Sequence, residues 1–128
     1  MIDLGQGQAW AINDRDQVIG DTTGGSAFLW QNGEMTDIGS LGGGGGGSSA
    51  TAINDRGQIV GDSSYGGEGK HGFHTRAFLW ENGTMHDLGT VGGNQATATA
   101  LNNHGQIIGT SSTKNGKTHA VLWTLRSG

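Results

Sequence analysis

Aspartates and asparagines that recur along this chain are the first residues that could do chemistry. They return at matching positions along the chain, as Asp3, Asp37 and Asp87 and as Asn13, Asn54 and Asn102. Carboxylates placed in this way could bind a metal ion or act as a general acid and base. Because each returns with the same neighbours, we expect instead that its oxygens accept backbone N–H bonds at turns and strand ends.

A single tryptophan departs from this recurrent pattern. Trp10 stands where the two matching segments have threonine, at Thr51 and Thr99. An exposed indole is a stacking platform for a sugar ring or another flat apolar ligand. The alternative interpretation is that Trp10 fills space beside a shortened connection. We therefore treat Trp10 as a candidate ligand-binding residue.

An insertion between residues 63 and 76 supplies the remaining candidates. Loops displayed on a rigid scaffold often carry binding residues, whereas the alternative here is a solvated loop without a ligand. The spacing of His71 and His74 could hold a metal, but no cysteine or third ligand accompanies them, so no metal site is predicted. The candidates in this insertion are Tyr65, His71, Phe73, His74 and Arg76.

Composition excludes several classes of function. The net charge of −4 without a basic cluster argues against a nucleic-acid surface, and no apolar run approaches the length of a membrane span. The absence of cysteine removes thiolate catalysis and disulfides. No arrangement of serine, histidine and acid recurs in a way that marks a nucleophile. We therefore predict no catalytic residues, no cofactor, no nucleic-acid partner and no membrane partner.

The segments that form the strands positioning these residues are repeated three times along the sequence. Each copy carries an Ala-Ile-Asn type segment, an Ile/Val pair followed by glycine, and an Ala-Phe-Leu-Trp type segment. Two copies continue through Asn-Gly, the strongest short hairpin signal, into a Met-x-Asp-Ile/Leu-Gly segment. Each copy therefore predicts four short strands. The three units are approximately residues 1–33, 34–83 and 84–128.

The hydrophobic pattern predicts how these strands are covered. The Ile/Val pairs and the Phe-Leu-Trp runs do not alternate with polar residues, which is typical of strands buried on both faces. No helical periodicity supplies a covering layer, so the cover must be another sheet. The fold class is therefore all-β, with β-propeller-type blades in three four-stranded repeats.

The opening residues 1–5 are a further copy of the fourth strand, the strand that the last unit lacks. This arrangement is typical of a ring in which the two termini share one blade. Because three blades are fewer than propellers use, we predict a six-bladed homodimer in which each opening strand completes a blade of its own chain or of its partner. The alternative is a single-chain threefold barrel similar to a β-trefoil.

These segments resemble the HAF repeat family, whose units contain Ala-Ile-Asn-Asp-x-Gly-Gln-Val-Val-Gly, His-Ala-Phe-Leu-Trp-x-Asn-Gly and Met-x-Asp-Leu-Gly. The resemblance covers almost the whole chain, although the naming histidine is retained only at His119. It implies a propeller-like bacterial extracellular protein and no established activity. The amino terminus shows neither the basic nor the apolar region of a signal peptide, so the compartment stays open.

Three functions are compatible with these observations. The first is a non-catalytic module for binding or scaffolding, with a glycan as the ligand class. The second is a purely structural unit that self-assembles, or a fragment of a larger propeller. The third, a hydrolase or lyase at the axial channel, has no acid and base pair that stands out from the repeats.

Overall fold

The structure, a computed structural model, describes residues 1, 3–39, 47–66 and 73–124. None of these residues is helical, so no described helix could cross a membrane. The all-β prediction is confirmed. The strands are β1 (Gln8–Ile12), β2 (Val18–Asp21), β3 (Ala27–Gln31), β4 (Glu34–Gly39), β5 (Ser48–Ile53), β6 (Ile59–Gly66), β7 (Phe73–Glu81), β8 (Thr84–Asp87), β9 (Gly92–Leu101), β10 (Gln106–Thr113) and β11 (Thr118–Thr124).

The strands form three antiparallel sheets, each built from consecutive strands. The first sheet has the order β1-β2-β3-β4, the second β5-β6-β7-β8, and the third β9-β10-β11. Residues 1 and 3–5, the described part of the fourth strand expected at residues 1–5, lie outside the strands of this chain. None of the sheets closes into a barrel. The β-trefoil-like alternative requires a closed barrel, so the structure does not support it.

Tight turns join the strands at the places that the sequence indicates. Asn32 and Gly33 between β3 and β4 have φ angles of 53° and 82°, the left-handed pair that a two-residue hairpin needs. The turn between β1 and β2 places Asp16 at φ 59°, and the matching turns place glycine there, at Gly57 and Gly105. These local choices give each sheet its antiparallel register.

A glycine follows the Ile/Val pair in every repeat because the neighbouring strand passes too close for a side chain. A Cβ on Gly61 would collide with the backbone carbonyl of Ser49. The same collision would occur at Gly20 with Gln8 and at Gly109 with Thr97. The close approach adjoins the register shift between Ala50 and Ala52 and the matching shifts in the other two sheets.

The three sheets stack face to face, and two apolar clusters hold them together. The first cluster includes Ile19 of the first sheet and Ile59 of the second. The second includes Val60 of the second sheet and Ile107 of the third. Ile59 and Val60 are adjacent, point to opposite faces and are both fully buried. This confirms, for the middle sheet, the prediction that the strands are covered on both sides.

Two of the three recurrent tryptophans pack where the sequence predicts core. Trp80 packs against the first cluster and Trp123 against the second, so each lies between sheets. Trp30, at the matching position of the first sheet, instead lines an open groove. The difference arises because no described sheet precedes the first one.

Candidate functional site

The recurrent aspartates close the ends of strand segments, as expected. In each, Oδ1 accepts a hydrogen bond from the N–H of the glycine two residues further along. This bond gives each carboxylate a structural role at the end of its segment. The three bonds are Asp3 with Gly5 at 2.9 Å, Asp37 with Gly39 at 2.8 Å, and Asp87 with Gly89 at 2.8 Å.

The recurrent asparagines bind both their own turn and the next sheet. In each turn, the Asn Oδ1 accepts two backbone N–H bonds. Asn13 Nδ2 donates to the carbonyl oxygen of Asn54 at 2.8 Å, and Asn54 Nδ2 donates to that of Asn102 at 3.0 Å. We call this series the asparagine ladder. It runs in one direction, from the first sheet to the third.

A second series of bonds follows the asparagine ladder one residue further along. The N–H of Asp14 donates to Asp55 Oδ1 at 2.8 Å, and the N–H of Asp55 donates to Asn103 Oδ1 at 2.8 Å. Asn103 Nδ2 returns a bond to Asp55 Oδ2 at 3.1 Å. The bond from the Asp14 backbone, followed by that from Asn103, lowers the pKa of Asp55. This carboxylate therefore stays ionised and links three sheets.

Two aspartates that the sequence analysis did not single out join neighbouring sheets near the close approach of strands. Asp21 Oδ1 accepts from the N–H of Ala50 at 3.2 Å, and Asp62 Oδ1 accepts from the N–H of Ala98 at 3.0 Å. Burial raises the pKa of Asp62 to about 6. Their common position after the second-strand glycine is the signal that could have identified them, and Thr110 occupies it in the third repeat.

Trp10 combines exposure with a fixed orientation. Its side chain is 53% exposed, and its indole Nε1 donates to Asp21 Oδ2 at 2.6 Å. The same oxygen accepts from Ser49 Oγ at 3.0 Å. At the matching position of the second sheet, Thr51 donates to the carbonyl oxygen of Ala98 at 2.7 Å. Trp10 therefore presents an open indole that a carboxylate holds in place.

The insertion candidates are brought together only in part. Tyr65 and His74 are opposite each other in β6 and β7, where Phe73 also lies, but the side chains of these three residues lie outside the described part of the structure. His71 lies outside the described residues altogether. Arg76 belongs to β7, and its Nη1 is 3.2 Å from Asp87 Oδ2. Among the described residues, no three His, Cys, Asp or Glu side chains form a group that could hold a metal.

The outer face of the third sheet carries an open apolar patch. The patch comprises Ala100, Ile108, Ala120 and Leu122, which match residues on the face that the second sheet turns toward the third. Ile108 is 52% exposed, whereas its counterpart Val60 is fully buried. Leu122 is 58% exposed, whereas its counterpart Leu79 is 3% exposed.

The outer face of the first sheet is the complementary open surface. It consists of Ile12, Val18, Trp30 and Met35, which match residues of the second sheet that pack against the first. Ile12 is 65% exposed. A groove of about 510 Å³ runs along this face, lined by Leu4, Ile12, Asp16, Val18 and Trp30. The two ends of the stack thus carry the two halves of an interface that occurs twice inside the chain.

Comparison with models of protein families gave no match. Comparisons with curated proteins and with solved structures gave none either. The similarity to the HAF repeat family therefore stays a prediction based on the sequence segments. The arguments about function below depend on the geometry of the described residues.

Proposed function

We propose that this chain is a non-catalytic scaffold module that acts by associating with a second copy of itself. The outer face of the third sheet in one copy stacks on the outer face of the first sheet in the other. The observation that carries the proposal is the exposure of Ile108 and Leu122, whose counterparts in the second sheet are buried against a following sheet. Burial of such apolar surface is the main driving force of association.

The polar bonds between sheets support the same stacking. The asparagine ladder ends at Asn102, whose Nδ2 donates to Gln106 at 2.9 Å within its own turn. In a stacked pair, that amide would also meet the carbonyl oxygen of Asn13 in the second copy, as Asn54 meets Asn102. The N–H of Asn103 would likewise meet the carboxylate of Asp14. The interface between copies would therefore repeat these two series of bonds, although not the bond from Asp62 to Ala98, because the third sheet has Thr110 at the position of Asp62.

Two copies stacked in this way at both ends would contain six sheets around a two-fold axis. Six blades fall within the four to eight that propellers typically use. A closed symmetric dimer leaves neither outer face exposed to solvent. We propose this six-bladed homodimer as the form in which the chain acts as a scaffold.

The experiment that tests this function is the solution mass of the chain across a dilution series, measured by size exclusion with light scattering. We expect twice the monomer mass of 13.1 kDa at high concentration. Leu122→Lys should give the monomer mass, and the conservative control Leu122→Met should keep the dimer. A wild-type chain that stays monomeric at every concentration would contradict the proposal.

We propose glycan recognition at Trp10 as a second candidate function, supported by the exposed and fixed indole. The planar face can stack on a sugar ring, and the adjoining carboxylate of Asp21 can accept bonds from sugar hydroxyls. The test is a glycan array with the wild-type chain and with Trp10→Thr, which restores the residue found in the other two repeats. Binding that survives this replacement would exclude Trp10 as the platform.

A further inference from the structure

Leu4, in the segment ahead of β1, lies against the outer face of the first sheet. Leu4 lines the groove there together with Val18 and Trp30. By sequence Leu4 matches Ile38 of β4, which packs in the first core cluster with Ile59, the counterpart of Val18. Leu4 therefore occupies, relative to the first sheet, the place that the fourth strand of a preceding sheet would occupy.

This segment already has the end geometry of a fourth strand. Asp3 Oδ1 accepts from the N–H of Gly5 at 2.9 Å, as Asp37 and Asp87 do in their own segments. Gly5 also has a positive φ, 114°, in common with the glycines that end the two complete copies. The segment lacks only the neighbouring strand that would pair with it.

The short connection to β1 fits this placement. Ser48 Oγ donates to the carbonyl oxygen of Gly39 at 2.6 Å, so the end of β4 touches the start of the next sheet. Gly5 and Gly7 match Gly39 and Ser48, with one residue between them. One residue between Gly5 and Gly7 is therefore enough to connect β1 to a fourth strand that belongs to a sheet stacked on the outer face of the first sheet.

The preceding sheet cannot be the third sheet of the same chain. The second sheet lies between the first and the third, and stacked sheets are about 10 Å apart. The three-residue step from Gln8 to Gly5 spans at most about 10 Å. The segment consequently belongs with the third sheet of another copy.

The third sheet offers a matching edge. It ends at β11, where the described strands provide no fourth partner. Its His119 matches Arg76, which lies 3.2 Å from Asp87 in the second sheet, and Asp3 matches Asp87. By the register of β7 and β8, Asp3 would be opposite Val121 and beside His119. Backbone pairing suits this segment, and the imidazole N–H of His119 is a donor that could reach the Asp3 carboxylate.

We infer that residues 3–5 of one copy belong to the fourth strand of the third sheet in a second copy. The inference rests on the proposed self-association and names the segment that is exchanged. Each copy donates one strand and receives one, so the two-fold dimer contains six four-stranded sheets. An open sheet edge, which would otherwise template aggregation, is thereby covered at both junctions.

Cysteine pairing tests the exchange, because the natural chain contains no cysteine. A chain carrying Asp3→Cys is mixed with a chain carrying Val121→Cys and exposed to mild oxidant. Opposed positions in paired strands bring Cβ atoms about 5 Å apart, close enough for a disulfide after a small adjustment. We expect a linked heterodimer in the mixture. The matched control replaces Val121→Cys by the exposed Lys114→Cys and should give no link above background.

The outcomes separate this inference from the proposed function. Each single variant is first shown by light scattering to keep the wild-type mass. A dimer that forms no Asp3–Val121 link overturns strand exchange and leaves stacking in place. A link that forms within a chain carrying both replacements, but never between singly substituted chains, would place the segment beside the third sheet of its own chain. That outcome also overturns exchange. Monomers without a link overturn both proposals.

Discussion

Ile108→Asp is the replacement that most directly probes the stacking of two copies. In a single chain, Ile108 is 52% exposed, and stacking would bury it as Val60 is buried. Burying the exposed half of an isoleucine contributes about 1 kcal/mol, since a whole side chain contributes roughly 1.5–3 kcal/mol. An aspartate there would also lose hydration without a cation beside it, at a cost of at least about 2 kcal/mol.

The proposed closed dimer would contain this contact twice. The replacement therefore costs about 3 kcal/mol of association free energy per contact, or about 6 kcal/mol for the dimer. This corresponds to a dissociation constant roughly 10⁴-fold larger. Sedimentation velocity across a dilution series measures that constant for wild type and variant. Circular dichroism at each concentration reports whether the sheets remain formed. Because Ile108 is already half exposed in one copy, the monomer fold should survive.

The matched control is Ile108→Val, which places in the third sheet the residue that the second sheet has at this position. It should leave the dissociation constant within about 15-fold of wild type, since it removes one methylene group, about 0.8 kcal/mol, from each of the two contacts. An Ile108→Asp chain that dimerises as tightly as wild type would refute the reasoning. The outer face of the third sheet would then not be the surface that joins the copies.

Three further replacements test the sheets themselves. Gly61→Ala should destabilise the fold by at least about 2 kcal/mol in urea unfolding, because its Cβ would collide with Ser49; unchanged stability would contradict that close approach. Asp16→Gly should raise stability by roughly 0.5–1 kcal/mol, because φ is 59° there; a lower melting temperature would contradict the strain. The raised pKa of Asp62, about 6 against an ordinary 3.8, means that its burial favours the protonated form, so the stability that Asp62 contributes is fully present below pH 4 and declines as the pH rises through 6. Asp62→Asn should flatten that decline in the free energy of unfolding, measured from pH 4 to pH 8. An unaltered pH profile would mean that other groups cause the decline.

Much of the fold could be predicted because its signals are local. Asn32-Gly33 and the matching pair in the second repeat predicted tight hairpins, and both pairs have positive φ. The continuous Ile59-Val60 pair predicted a strand covered on both faces, and both residues are fully buried. Each of these outcomes depends on a few neighbouring residues and on the apolar character of one strand. Three copies of the same signals made the interpretation of each unit more secure.

The candidate site was less predictable because its contacts join distant segments. The bond from Trp10 to Asp21 depends on the register of β1 and β2, and the further bond to Ser49 depends on how the second sheet stacks. No local spacing encodes these partners. The asparagine ladder shows the same limit, since the recurrence of Asn13 and Asn54 predicted a structural role but not a bond between sheets.

The direction of the asparagine ladder restricts how copies can assemble. The first sheet donates to the second and the second to the third, so the proposed contact between copies would join two different surfaces, and such a contact either closes into a ring or continues as a filament. For sheets arranged as propeller blades, closure requires between four and eight of them. Each copy brings three, and six is the only multiple of three in that range. The ladder, if it closes as a propeller, therefore closes with two copies, and a series of heavier species in sedimentation would mean a rotation between sheets unlike that of a propeller.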